Sequence, residues 1–288
     1  MAISANKKQD PEDRFIAMLL AGIRNKRITL PTLPEIAIKV RNAAASPRTT
    51  SAQLAKLITL DPALSTRLLQ TANSPLYRGG SKIANIQIAI ARLGHPLVRN
   101  IIASVVVTQL FQARTLSPLK GHLKSTWEHT IKTAAICHVL ASKFTRLVPE
   151  QAMLAGLIHD IGKLPILSQL EQFPELLASS NTIDRLLQLL HPQIGKVILE
   201  AWQFPSDMVT VAAEHENLQR HSGPAVDYTD LVLVANLQGH LGEPEAVSFA
   251  EWPTIPAYAK LALDPEQYLA ALSEAQQEML EIQRLLTA

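Results

Sequence analysis

The sequence predicts an all-α protein, and three observations support this fold class. Glycine is scarce, with 11 residues among 288, and the composition is 47% hydrophobic but only 5% aromatic; abundant Ala, Leu and Ile favour helices over sheets. Apolar residues recur at spacings of three and four, without the alternation typical of strands. Proline and glycine interrupt this pattern every ~10 to 20 residues. The chain is therefore expected to form two packed helical subdomains.

Changes in composition divide the chain into four predicted segments. Ala113 to Gly121 contains Pro118 and is the best internal boundary, although it is too short for a free linker. The predicted segments are a disordered tail (1–10), an N-terminal helical subdomain (11–117), a second helical bundle (118–241), and an irregular Pro-rich stretch with a C-terminal helix (242–288).

Cap residues mark where several helices start. Asp10 followed by Pro11 predicts a first helix over 11–25, because Asp accepts hydrogen bonds from the first turn and Pro fits the first helical position. The two prolines within 30–35 predict an extended corner before the next helix. Further starts are predicted at Thr50 with Gln53, which can form a capping box, and at Asp61-Pro62 and Asp264-Pro265.

The second half is predicted to hold several helices separated mainly by prolines. They cover 123–144, 150–164, 182–190, 192–202, 205–217 and 226–241. One last helix starts after Asp264 and carries a narrow apolar stripe from Tyr268 to Leu286, fit for one partner helix. The stripe is expected to pack on the body of the chain, with a homodimer as the alternative.

Charge and cysteine usage argue against several classes of protein. The net charge is +2, from 27 Lys and Arg against 25 Asp and Glu, and the basic residues are scattered, so no nucleic-acid surface is expected. The longest apolar stretch, Ile101 to Phe111, is shorter than the ~18 residues of a membrane span and predicts a buried helix. The lone Cys137 and the absence of a signal-peptide pattern predict a cytoplasmic protein.

Histidines and carboxylates gather in the second half. His159 and Asp160 are adjacent, follow the apolar run Leu154 to Ile158, and precede Gly162, where another backbone can approach closely. His129 lies thirty residues upstream on a helix that can run antiparallel to this one. Nitrogen and oxygen ligands of this kind suit a divalent metal in a hydrolytic site. The alternative interpretation is a buried, hydrogen-bonded structural cluster.

Short motifs occur in a fixed order along most of the chain. In order and spacing they resemble the HDOD domain, the bacterial "HD-related output domain" within the HD metal-dependent phosphohydrolase superfamily, over roughly Leu30 to His240. This resemblance implies that the second half is an HD-like bundle. The motifs are Leu30-Pro31-Thr32-Leu33-Pro34, Asp61-Pro62-Ala63-Leu64, Trp127-Glu128-His129, Gly156-Leu157-Ile158-His159-Asp160-Ile161-Gly162-Lys163, His191-Pro192-Gln193-Ile194-Gly195, Trp202-Gln203-Phe204-Pro205 and Glu214-His215-Glu216.

The resemblance implies a metal-ligand set. Similar HD phosphohydrolases bind metal through a first His, a His-Asp pair and a later Asp. His129, His159 and Asp160 match the first three positions. Asn236 stands where the last Asp would be, and this neutral side chain removes one negative charge from the site. A divalent ion is therefore expected to bind weakly.

Further residues are expected to line the same site. His191 and His215 fall where related cyclic-dinucleotide phosphodiesterases have extra histidines, but Glu214 replaces a second adjacent histidine and the Gly-Tyr-Pro segment is absent. Lys163 completes the lining set. A two-metal phosphodiesterase site is therefore not expected.

Two functions follow from the resemblance. The first is a non-catalytic signal-transduction module with a degenerate HD site, which binds signalling proteins and could take a nucleotide ligand. The second is a metal-dependent phosphohydrolase acting on a nucleotide or cyclic dinucleotide. The first is preferred, because the departures at Asn236 and Glu214 weaken the metal site.

Overall fold

The structure, a computed structural model, describes residues 10–25, 27–28, 30–112, 119–241 and 247–287. Within these ranges it contains fourteen α-helices, one 3₁₀ helix and no strand, which confirms the predicted all-α class. The boundary predicted within 113–121 lies largely outside the described residues, as do nearly all of the predicted tail and residues 242–246. The division into 11–117 and 118–241 stays a prediction.

The helices follow one another with short connections. They are α1 (Pro11–Arg24), α2 (Glu35–Ala45), α3 (Ser51–Thr59), α4 (Pro62–Asn73), α5 (Ile86–Gln112), α6 (Lys120–Phe144), α7 (Pro149–Ile158), α8 (Lys163–Leu170), α9 (Ser180–Ala201), α10 (Ser206–Glu214), α11 (Tyr228–Gly239), the 3₁₀ helix (Phe249–Thr254), α12 (Pro256–Ala259), α13 (Pro265–Glu274) and α14 (Gln276–Thr287).

The predicted caps form where the sequence places them. Asp10 accepts a hydrogen bond from the Glu12 backbone N–H at the start of α1. Thr50 with Gln53 and Asp264 with Gln267 form capping boxes at α3 and α13. Each cap satisfies backbone N–H groups that have no partner inside the helix.

Helix α5 is the central element of the first half, with α2, α3 and α4 packed around it. Among the described residues, it has the length and hydropathy of a membrane span. Gly94 interrupts it with φ 78° and ψ 155°, and the segment from Val98 to Phe111 is largely buried. A core helix can have the same composition, and this helix contacts α2, α3, α4 and α7 within the protein.

The second half is built on the antiparallel pair α6 and α7, with α11 and α10 against this pair and α9 packed on α8 and α10. Gly156 lets these helices approach closely, because a Cβ atom there would lie 2.7 Å from the Ala134 Cα. α5 packs against α7 and joins the two halves. The Trp202 indole N–H also donates to the Pro31 carbonyl across 2.8 Å.

Helix α1 lies against the second half of the chain, although the predicted division assigns it to the first. Phe15 packs edge-on against Phe173 with ring centroids 5.3 Å apart. Arg14 pairs with Glu175 at 2.6 Å, and Arg185 pairs with Glu12. These contacts hold α1 beside α8 and α9.

The helix predictions around Pro192 and at the C-terminus were wrong. The segments 182–190 and 192–202 form one helix, α9, which continues through Pro192. Its buried face offsets the ~3 kcal/mol cost of an internal proline. The predicted single C-terminal helix is two helices that meet at Ala275. Tyr268 of α13 packs with Trp252 and Tyr258, whereas α14 packs on α6.

Candidate metal centre

The His159-Asp160 pair lies in a tight turn between two helices. The prediction of one helix over 150–164 was wrong: α7 ends at Ile158, residues 159–162 form turns, and α8 starts at Lys163 with Pro165 in its first turn. The turn is held by the Lys163 N–H, which donates to the Asp160 carbonyl at 2.9 Å. It therefore directs both side chains into the bundle from the end of α7.

Gly162 permits the closest backbone approach in this region. A Cβ atom there would lie 2.1 Å from the His191 carbonyl oxygen and 2.6 Å from the Gly195 nitrogen. No side chain can occupy that space, so the turn after α7 packs directly against the backbone of α9. This contact brings His191 next to Asp160.

Backbone carbonyls orient three buried histidines. Nδ1 of His159 lies 2.7 Å from the Gly156 carbonyl, Nδ1 of His191 lies 2.8 Å from that of Leu187, and Nδ1 of His215 lies 3.0 Å from that of Val211. A carbonyl oxygen can only accept, so each Nδ1 carries the proton. In each neutral ring Nε2 is then the unprotonated nitrogen, which is the arrangement that metal-ligating histidines use.

The Nε2 atoms converge in pairs. His191 and His215 approach to 2.9 Å, and His159 and His129 to 3.3 Å. Two neutral rings whose Nδ1 atoms are both protonated present lone pairs to each other, and these repel. A cation or an additional proton between His191 and His215 removes this repulsion.

Asp160 connects the two pairs. Its Oδ2 lies 3.4 Å from His159 Nε2 and 3.9 Å from His129 Nε2, and its Oδ1 lies 3.3 Å from His191 Nε2. Asp160 is buried, and Oδ1 forms no hydrogen bond with the described residues. Lys163 donates to Oδ2 at 2.6 Å. The buried carboxylate is therefore neutralised on one side and lacks a donor on the other.

Burial dominates the protonation of the histidines. It lowers the pKa of His129 to about 4 and that of His191 to about 3, although Asp160 acts to raise both. Burial also lowers the pKa of His159 well below its usual value. For Asp160, burial acts to raise the pKa, but His159 and Lys163 together hold it well below the ordinary range. His129, His159 and His191 are thus neutral imidazoles beside the ionised carboxylate of Asp160.

Of the two glutamates beside His215, the structure brings Glu216 to the centre. Its Oε1 lies 3.5 Å from His215 Nε2 and accepts a hydrogen bond from Asn236 Nδ2 at 3.2 Å. The carboxylate of Glu214, also expected at the site, accepts from Arg220 Nε at 2.8 Å, and its role there stays a prediction. The chain turns after α10, so spacing alone does not distinguish the two glutamates.

Asp230 belongs to a separate ion-pair network. This buried carboxylate accepts from Arg220 and Lys260, both at 2.8 Å. Arg220 also pairs with Asp227 at 2.7 Å, so the network fixes the loop before α11. Asp230 therefore has a structural role.

The side chains fit a divalent metal ion. His129, His159 and Asp160 have ligand atoms within 4.8 Å of one another, and so do Asp160, His191 and His215. The unpaired Asp160 Oδ1 and the opposed Nε2 atoms are the features that a cation would satisfy. Imidazole and carboxylate ligands suit Zn²⁺, Mn²⁺, Fe²⁺ or Ni²⁺.

Solved structures share this architecture. A crystal structure from Shewanella amazonensis SB2B, of a protein provisionally named a metal-dependent phosphohydrolase, is 26% identical with a TM-score of 0.76, covering 96% of this chain and 100% of that one. An HDOD domain protein of unknown function from Geobacter sulfurreducens is 21% identical with a TM-score of 0.70, covering 94% and 98%. A protein from Marinobacter aquaeolei VT8, provisionally named a signal transduction protein, is 22% identical with a TM-score of 0.62, covering 98% and 67%.

Sequence comparison gives the same family. A protein of unassigned function from Treponema pallidum (strain Nichols) is 25% identical in an alignment 214 residues long that covers 69% of this chain and 40% of that protein. The chain thus spans less than half the length of this relative. The sequence model of the HDOD domain matches residues 30–218, about two thirds of the chain. The chain therefore belongs to the HDOD domain family.

Proposed function

We propose that the chain is a regulatory output module that binds signalling proteins and whose histidine-aspartate centre is not catalytic. The charge at the centre carries this proposal. Asp160 is the buried carboxylate, Lys163 already neutralises it at 2.6 Å, and Asn236 supplies no charge. Glu216 contributes a second carboxylate from a half-exposed position. This charge is too small to hold two divalent ions tightly.

A phosphohydrolase is the second candidate, and the sharing of Asp160 between two ligand groups favours it. His129 and His159 would hold an ion on one side of Asp160, and His191 and His215 on the other. A bound metal ion supplies Lewis acidity and lowers the pKa of a water molecule. Lys163, which is partly exposed, would place a positive charge beside a phosphoryl oxygen. The name of the Shewanella relative is consistent with this candidate.

Metal analysis and turnover assays distinguish the two candidates. The purified protein is assayed with Mn²⁺, Fe²⁺, Ni²⁺, Zn²⁺ or Mg²⁺ against nucleotides, cyclic dinucleotides and an aryl phosphate. The non-catalytic module gives no metal-dependent turnover and less than one tightly bound ion per chain. The His159→Ala/Asp160→Ala variant tests the centre, and His221→Ala, which alters an exposed histidine, is the matched control.

Turnover that depends on metal and disappears only in the His159→Ala/Asp160→Ala variant would establish the phosphohydrolase instead. The regulatory role is tested by capture of partners from a lysate of the source cells. A partner that still binds the variant, provided that the variant is folded, supports a surface-mediated output.

A further inference from the structure

A cavity of about 190 Å³, lined by both polar and apolar side chains, lies where the two halves meet, away from the histidine-aspartate centre. We refer to it as the arginine pocket. α2 and α5 form one wall, and α7 with the segment before α10 forms the other. Its lining includes Arg41, Arg99, Asn100, Gln151, Phe204 and Met208.

The two arginines of the pocket have no acidic partner in the described part of the chain. Arg41 Nη1 is buried and forms no hydrogen bond, and neither Arg41 nor Arg99 makes an ion pair with any residue that the structure describes. Burial lowers the pKa of the Arg41 guanidinium, and the nearby positive charge of Arg99 adds to this effect. Two unpaired guanidinium groups in one cavity repel each other and lose hydration, which is unfavourable unless an anion joins them.

The acidic side chain beside the pocket is already engaged. Asp207 at the start of α10 accepts from Gln151 Nε2 at 3.3 Å and from the Met208 backbone N–H at 2.9 Å. Among the described residues, these are its partners, and it forms no ion pair with Arg41 or Arg99. Gln151 is fixed by the same contact and offers its carbonyl oxygen to a ligand.

The wall that carries Phe204 is set by the end of α9. Gln203 has φ 56°, and the N–H groups of Gln203 and Phe204 donate to the carbonyls of Glu200 and Leu199, both at 2.9 Å. These bonds form a Schellman motif, which accounts for the left-handed residue. The motif places the Phe204 ring under Arg41, whose guanidinium carbon lies 5.3 Å from the ring centroid.

We propose that the arginine pocket binds the phosphate group of a small phosphorylated metabolite. Guanidinium groups hold phosphate oxygens through paired N–H donors, and two of them can neutralise a phosphate dianion. The amides of Asn100 and Gln151 can contact polar groups of the ligand body, and Met208 offers an apolar surface. Because both halves line the pocket, the ligand would hold them together.

Isothermal titration calorimetry with EDTA present tests this site separately from the metal centre. The probes are inorganic phosphate, ribose 5-phosphate, AMP and GMP, with citrate as a carboxylate control. At least one phosphate probe should bind wild type. Arg41→Gln and Arg99→Gln should each weaken binding about tenfold or more, corresponding to ~1.4 kcal/mol. Arg78→Gln, which removes an exposed arginine outside the lining, should change affinity less than twofold.

Two further comparisons distinguish the loss of a binding contact from the loss of folding in the variants. Arg41→Lys keeps the charge but loses the planar donors, so it should bind more weakly than wild type and more tightly than Arg41→Gln. Without ligand, Arg99→Gln should melt at the same temperature as wild type or higher, since it removes repulsion. The proposal is overturned if no phosphate probe binds wild type, if only citrate binds, if binding requires metal, or if Arg78→Gln weakens binding as much as the pocket variants.

Discussion

The buried histidines make the stability of the metal-free protein sensitive to acid. Folding lowers the pKa of His129 to about 4 and that of His191 to about 3, whereas an unfolded histidine titrates near 6.5. Below pH ~6.5 the unfolded chain therefore binds more protons than the folded one, and stability falls as the pH decreases towards the folded pKa values.

We expect the free energy of unfolding to be lower at pH 5 than at pH 7 by about 2 kcal/mol for each of these two histidines. Urea unfolding with a chelator present measures the difference. His129→Gln should reduce the pH dependence, and His221→Gln, at an exposed site, should leave it unchanged. A pH-independent stability of the wild type between 5 and 7 would contradict the prediction.

Lys163 competes with a metal ion for Asp160. Its ammonium group lies 2.6 Å from Asp160 Oδ2 and supplies the charge that a cation would otherwise supply. Lys163→Met should therefore increase the affinity for Mn²⁺ or Zn²⁺ about tenfold or more. The same change leaves Asp160 without its cation, so the metal-free variant should be less stable by about 3 kcal/mol.

Addition of metal should restore much of the stability that Lys163→Met loses, because an ion that binds only the folded state shifts unfolding by mass action. Thermal unfolding with and without Zn²⁺ checks this. Lys196→Met, also on the polar surface of the second half but outside the centre, is the control. Equal metal affinity of Lys163→Met and wild type would show that Lys163 does not oppose binding.

At the scale of the helices, Gly162 determines how closely α8 and α9 can approach. A Cβ atom at this position would lie 2.1 Å from the His191 carbonyl oxygen, and backbone cannot move away as a flexible side chain can. Gly162→Ala should therefore destabilise the protein by about 3 kcal/mol or more. Gly80→Ala is the matched control, because a Cβ atom there meets nothing within 4 Å.

Chemical denaturation measures both glycine variants. Gly80→Ala should be neutral or slightly stabilising, by up to ~1 kcal/mol, because alanine reduces the freedom of the unfolded chain. If Gly162→Ala unfolds at the same denaturant concentration as wild type, α9 is not held by this contact.

The predicted helix starts were more successful than the predicted ends. The caps at Asp10, Thr50, Asp61 and Asp264 all form, because a cap is a local interaction that neighbouring residues determine. The continuation of α9 through Pro192 could not be predicted in this way, since it depends on burial against distant helices. The turn after Ile158 likewise depends on packing against α9.

At the candidate site, too, some features could be predicted from the sequence and others, which depend on packing, could not. The approach of His129 to His159 followed from two antiparallel helices, and the structure brings their Nε2 atoms to 3.3 Å. The sequence did not predict that Glu216 lies closer to the centre while Glu214 pairs with Arg220. This arrangement depends on where α10 ends and on Arg220, six residues after Glu214. Binding of metal by these residues stays a prediction.

At the scale of the whole molecule, the extended corner near Pro31 is tied to the end of α9. The Trp202 indole donates to the Pro31 carbonyl at 2.8 Å, and these residues are 171 positions apart. Trp202→Phe keeps an aromatic ring but leaves the carbonyl without its donor. We expect a loss of about 1–3 kcal/mol in unfolding free energy.

Trp127→Phe is the matched control for this bond, since the Trp127 ring packs at a tilt against Phe111 and its N–H has no hydrogen bond in the part of the chain that the structure describes. Urea denaturation monitored by circular dichroism compares the two variants. Equal stability losses would mean that ring size, and not the bond to Pro31, accounts for the effect.

Helices α7 and α10 each extend from the arginine pocket to the histidine-aspartate centre. Along α7, Gln151 of the pocket and His159 of the centre are eight positions apart, roughly 12 Å along a helix axis. Along α10, Met208 and His215 are seven positions apart. Such short helices transmit a displacement with little bending. If an anion at one end changes metal affinity at the other by some factor, thermodynamic reciprocity requires the metal to change anion affinity by that same factor. Two independent titrations would then measure a single coupling constant.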